Sequence, residues 1–115
     1  MQGTITGGGV ANQTSACLAV TNSTAPTLDL RNNIFSNTQI GNAGATLRFA
    51  SIALGNSTFG TLTSNNNDLF CAGAGPGTYQ IGITGTVVGG TNSTTLPDWQ
   101  TTTGNRAPRS FSISA

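Results

Sequence analysis

One pattern occurs twice in this chain. Leu28-Asp29-Leu30-Arg31-Asn32-Asn33-Ile34-Phe35 and Leu62-Thr63-Ser64-Asn65-Asn66-Asn67-Asp68-Leu69-Phe70 both run apolar, x, apolar or small, x, then Asn, then an aliphatic-Phe pair. The offset is 34 or 35 residues, with one extra residue in the second Asn run. A repeat at such a spacing constrains the fold more than any other feature, because equivalent segments must occupy equivalent places. Helices are poor candidates for those segments. Thr, Gly, Asn and Ser supply 58 of the 115 residues, and these types compete with or weaken helical backbone. Strands must therefore carry the fold. Period-two alternation predicts them at Ala16–Thr21, Thr27–Arg31 with Leu28 and Leu30 on one face, and Thr46–Ala50 with Leu47 and Phe49 on one face. It also predicts Thr78–Thr84, with Tyr79, Ile81 and Ile83 on one face, and a weaker strand at Ser110–Ser114.

Strands recurring at this period without helices suggest the coils of a parallel β-solenoid, each stacked on the next at about 4.8 Å. Asn suits the corners, because its amide both donates and accepts and its backbone tolerates left-handed geometry. Asn32 and Asn67 are the ladder candidates, against the plainer reading that Asn-Asn only marks a turn. Thr95-Leu96-Pro97-Asp98-Trp99-Gln100 is different. Thr followed three residues later by an acid forms a capping box, Pro fits a first helical turn, and Gly104 is placed to end the element. One short helical turn is expected there, packed on the solenoid through Trp99.

In order and spacing, Asn32-Asn33-Ile34-Phe35-Ser36-Asn37, Gly60-Thr61-Leu62-Thr63-Ser64-Asn65-Asn66-Asn67-Asp68-Leu69-Phe70 and Thr95 to Gly104 resemble one known family. It is the right-handed parallel β-helix, pectate-lyase-like repeat region of large secreted or surface-anchored bacterial proteins, and the resemblance spans residues 26–114. It implies an all-β, right-handed parallel β-helix (solenoid) fragment of about three coils. As one domain or domain fragment over 1–115, this gives a weakly matched first coil at 1–25, core coils at 26–70, a loop-rich stretch at 71–95, and a helical turn with a truncated last strand at 96–115. It also implies an extracellular or cell-surface location. Met1-Gln2-Gly3-Thr4-Ile5-Thr6 reads as strand and turn rather than as a basic and apolar leader, so the natural start of the protein is expected to lie elsewhere.

Charge excludes several functions. Four Arg face three Asp, and there is no Lys, Glu or His, so a formal net charge of +1 offers no basic footprint for nucleic acid. No apolar run approaches the roughly 20 residues of a membrane span. Pectate-lyase-like enzymes, as the resemblance implies, gather carboxylates around Ca²⁺ with an Arg or Lys as base. Asp29, Asp68 and Asp98 are scattered, and the repeat offset does not stack Asp29 on Asp68. A surface ion pair of Asp29 with Arg31 is the better reading. No catalytic residue, metal site or cofactor is expected, since nucleophilic catalysis lacks its usual histidine base.

Cys17 and Cys71 could close a disulfide in an exported chain, but their spacing does not place them in one column, which favours two free buried thiols. Sequons at Asn12, Asn22, Asn56 and Asn92 matter only in a glycosylating host. Tyr79 and Trp99 are the aromatics that could stack on a sugar, with core packing as the competing role. The expected function is a non-catalytic structural or adhesive module of a bacterial surface protein, whose partners would be glycans or other copies of itself. The alternatives are one end of a polysaccharide lyase or hydrolase whose active coils are absent, and a self-assembling fibre subunit.

Overall fold

The computed structural model describes residues 4–5, 13–41, 47–73, 75–104 and 111–112. In chain order the elements are β1 (Thr4–Ile5), β2 (Gln13–Val20), β3 (Leu28–Arg31), β4 (Ile34–Asn37), β5 (Ile40–Gly41), β6 (Leu47–Leu54), β7 (Leu62–Asn65), β8 (Asp68–Cys71), β9 (Thr78–Thr84), β10 (Thr91–Ser93), α1 (Leu96–Thr102) and β11 (Phe111–Ser112). The fold is all-β apart from α1.

Pairing is parallel almost throughout. β2 lies beside β6, β3 beside β7 and β4 beside β8, each with residue i opposite i+34, as in Gln13↔Leu47, Leu28↔Leu62 and Phe35↔Leu69. β6 is followed by β9 with a step of 30, Arg48↔Thr78. The shortening falls in one connection: the chain runs from Asn37 to Leu47 after β4, but only from Cys71 to Gly77 after β8. β10 turns back antiparallel on β9, β11 adds in parallel to β8, and β1 pairs with β5.

The repeat is thus real, but its register is simpler than the sequence suggested. Aligning the two aliphatic-Phe pairs requires a step of 35 after the Asn run, whereas the structure keeps 34. Ile34 therefore faces Asp68 rather than Leu69, and it is 77 % exposed. A one-residue slip would have turned every side chain of β8 to the opposite face. Keeping 34 puts Phe35 and Leu69 together in the core.

That core gathers Ile52, Leu54, Leu62, Leu69, Ile81 and Trp99, with half-buried Leu18, Val20, Leu28, Leu30 and Phe35 packed against it. Burying each large side chain contributes about 1.5–3 kcal/mol. A second cluster, Ala50, Ala53 and Ile83 with Ala16 and Val87, lies apart from it. Tyr79, Ile81 and Ile83 consequently do not share one face. Ile81 joins the first cluster and Ile83 the second. Ladder pairing is interrupted at the row Cys17, Ser51 and Ile81, and the alternation breaks with it, as at a bend or bulge.

Helix α1 forms as its sequence predicts. The Thr95 hydroxyl accepts from the Asp98 backbone N–H and the Asp98 carboxylate accepts from the Thr95 N–H, a reciprocal capping box with Pro in the first turn. Beyond the Thr103 C-cap, Gly104 takes φ +66°. Close packing is secured by glycine where backbones meet. A Cβ on Gly41 would fall 1.7 Å from the Pro76 carbonyl oxygen, and one on Gly82 would fall 2.1 Å from the Trp99 ring. Of the expected strand Ser110–Ser114, Phe111–Ser112 is observed and the remainder lies outside the described residues.

Candidate functional site

The two aromatics considered for sugar stacking are used in packing. Trp99 is 0 % exposed, with its ring laid on Gly82, so no face remains for a ligand. Its buried indole Nε1 has no hydrogen-bond partner among the described residues. Tyr79 is half-buried and stacks on its ladder neighbour Phe49, with ring centroids 4.7 Å apart and planes 10° apart. Its hydroxyl donates to the Gly75 carbonyl at 3.5 Å. The sequence placed both rings correctly on α1 and β9, but hydropathy alone could not say which faces were already covered.

The Asn ladder exists with one member changed. Asn32 (φ 60°) and Asn66 (φ 54°) are the left-handed corner residues, 34 apart. The stacked amides follow one position later. Asn67, 0 % exposed, accepts from the Asn33 backbone N–H at 3.0 Å and from the Asn33 side chain at 3.2 Å. It donates to the Leu30 carbonyl at 2.7 Å and to the Ser64 hydroxyl at 3.2 Å. The ladder is therefore Asn33–Asn67, not Asn32–Asn67, for the same reason that Ile34 faces Asp68. Asn37 plays a comparable part unforeseen from sequence. Its side-chain amide donates to the carbonyls of Ser15 at 3.1 Å and Ala50 at 3.0 Å, bridging β2 and β6 from β4.

The carboxylates are dispersed. Asp29 is paired with Arg31, whose Nε donates to Oδ1 at 2.6 Å while Nη2 meets Oδ2. The Arg31 hydrogen bond is the main reason the Asp29 carboxyl is held below its ordinary value. Asp98 is engaged in the helix cap. Asp68 lies on β8 opposite Ile34, and its Oδ1 is buried with no partner among the described residues. Asp29 faces Thr63, so it does not stack on Asp68. Among the described residues no three His, Cys, Asp or Glu side chains lie together. Cys17 and Cys71 form no disulfide with each other and are half-buried rather than fully buried. Burial pushes the Cys71 thiol up to about 12.

A groove of about 310 Å³ is lined by Thr21, Ser23, Gly55, Gly85, Thr86, Val87 and Val88. It is built where β2, β6 and β9 end. Gly55 N–H donates to the Val20 carbonyl at 2.6 Å, and Gly85 N–H, at φ +97°, donates to the Asn56 carbonyl at 3.0 Å. The 85–90 segment then folds back over the second apolar cluster through Val87. The Thr14 hydroxyl (2.8 Å) and the Arg48 guanidinium (3.3 Å) fasten it by donating to the carbonyls of Val87 and Val88. Its lining is mostly apolar, with a few hydroxyls beside two Val side chains and no ionisable group. Sequence reasoning did not single out these residues. The available signal was Gly55 and Gly85, 30 apart like the strands they terminate.

Of the sequons, Asn56 is buried and donates to the Thr58 carbonyl at 2.6 Å, Asn22 and Asn92 are exposed, and Asn12 lies outside the described residues. Among the described residues no helix is long and apolar enough to cross a membrane. No protein-family model, curated protein or solved structure matches the chain.

Proposed function

We propose that the chain winds as about three coils of a right-handed parallel β-helix and serves as a rigid, non-catalytic structural or adhesive module of a bacterial surface protein. The observation that carries this reading is the common 34-residue step of three separate parallel pairings, β2 to β6, β3 to β7 and β4 to β8. A chain that visits three sheets in the same order and returns to each after the same number of residues traces a coil. Parallel crossovers of this kind are right-handed in nearly all proteins. Amides held between successive coils, as at Asn33 and Asn67, stiffen such a stack.

The non-catalytic assignment rests on how the carboxylates are used, two of the three being committed to Arg31 and to the helix cap. A Ca²⁺-dependent lyase site would need six to eight oxygen ligands. We place glycan contact on the groove beside Thr86 and Val87, where hydroxyls adjoin an apolar lining. The test has two arms. An antibody against this chain should label intact cells that make the parent protein; labelling only after lysis overturns the surface placement. Polysaccharide incubated with the chain and Ca²⁺ should stay uncleaved, and turnover would restore the enzyme alternative.

A further inference from the structure

The fold separates the sequons that lie among the described residues. Asn56 is 4 % exposed and its amide is already committed to the Thr58 carbonyl at 2.6 Å. Asn22 is exposed, but its side-chain oxygen turns back on its own chain and accepts from the Thr24 N–H at 3.1 Å. Asn92 is exposed, and its carboxamide has no hydrogen-bond partner among the described residues.

Strand β10 explains how Asn92 is displayed. Its pairing with β9, Thr91↔Thr84, Asn92↔Ile83 and Ser93↔Gly82, fixes the segment. Successive side chains of a strand point to opposite faces. Ser93 takes the inward face: it is 0 % exposed, and its hydroxyl meets that of Thr102 on α1 at 3.3 Å. Asn92 is thereby turned outward, and Thr94, on the other side of Ser93, is exposed with it. The amide and the hydroxyl two positions on, which together define an Asn-x-Ser/Thr acceptor, thus stand in solvent while the middle residue anchors the segment.

We infer that Asn92 is a site of N-linked glycosylation, taking its sugar from a diphosphate-activated donor through a transferase that recognises the sequon. The bond formed joins Nδ2 to the anomeric carbon of the sugar. The bond broken is that carbon's link to the diphosphate, which leaves with the electron pair. The Nδ2 proton passes to a base of the transferase, since residues 86–97 carry no charged side chain. No oxidant or reductant enters, and the product is again a neutral amide. The ladder of β10 on β9 uses backbone groups and accommodates the change. The inference stands on the sequon and its exposure, whether or not the groove contacts a glycan.

Peptide mapping of the parent protein, taken from the cells that make it, tests the assignment by mass spectrometry with fragmentation that leaves sugars on their side chains. The expected result is a sugar on Asn92 and none on Asn56. In the same cells Asn92→Gln and Thr94→Val should lose that sugar and Thr94→Ser should keep it, a pattern that a merely structural role for Thr94 would not give. Both positions are exposed, and circular dichroism checks that the variants fold. A bare Asn92, a sugar carried instead by the hydroxyl of Thr91, Ser93 or Thr94, a sugar on Asn56, or a Thr94→Val chain still modified at Asn92 would each overturn the proposal.

Discussion

At the residue scale, Asn67 shows why a small polar side chain can be a fixed part of an apolar interior. Its amide is fully buried and makes hydrogen bonds to Leu30, Asn33 and Ser64. Asn67→Ala would take the side-chain partner from the Asn33 N–H and the Ser64 hydroxyl and leave a small void, a loss of about 1–3 kcal/mol, read as a lower urea midpoint with little change in slope. Asn32→Ala should act through backbone strain instead, since Asn32 is exposed but sits at φ 60°. The cost there is about 1 kcal/mol. Cys71 gives a pH prediction. Burial raises its thiol from 9.0 to about 12, so the folded state holds this proton more tightly than the unfolded state. The associated stability is present in full below pH 9.0 and is lost as pH rises toward about 12. Urea midpoints measured from neutral to alkaline pH should fall less steeply in Cys71→Ala. At pH 8 the thiolate fraction of Cys71 should be about a thousand-fold lower in the folded chain than in urea, which mass-mapped alkylation rates can check.

At the element scale, α1 is the one helix among the described elements, and local sequence explains its boundaries. Seven residues are too few to be stable alone, so the capping box and Trp99 share the task. Thr95→Ala removes one half of the reciprocal cap and should cost about 1 kcal/mol. Trp99→Ala should cost about 3–5 kcal/mol, because it empties the space over Gly82 and the contact with Ile52, Leu54 and Ile81. Thermal unfolding of the two variants separates a local capping effect from a core effect. If both shift the melting temperature equally, the ring is not the anchor described. β9 shows the limit of reading one element by itself. Its alternation predicted a single face for Tyr79, Ile81 and Ile83, yet the interrupted row through Cys17, Ser51 and Ile81 divides them. A strand bends where its neighbours bend, and that is not written in its own residues.

At the scale of the whole molecule, the register step governs tolerance to change. The step of 34 holds across β3, β4 and their partners, whereas the connection after β8 already differs in length from that after β4. One Gly inserted between Asn65 and Asn66 would push β8 out of step and turn Leu69 away from the core, so it should lower stability by about 3 kcal/mol or more. The same insertion beside Gly60, which is exposed and has open space where a Cβ would be, should cost about 1 kcal/mol or less; equal losses in equilibrium urea unfolding would show that register is not what the corner protects. The sequence by itself determined that the chain is built of strands, that Leu28–Phe35 and Leu62–Phe70 are equivalent neighbours, that Thr95 starts a helix, and that Asp29 meets Arg31. Each of those follows from propensity, periodicity or short-range spacing. Only the tertiary structure decided that Asn33 rather than Asn32 meets Asn67, that Trp99 has no free face, and that a groove forms where Gly55 and Gly85 end their strands. Those outcomes depend on three separate parallel ladders, β2–β6, β3–β7 and β4–β8, settling on the same step of 34, a cooperative choice that no individual segment makes.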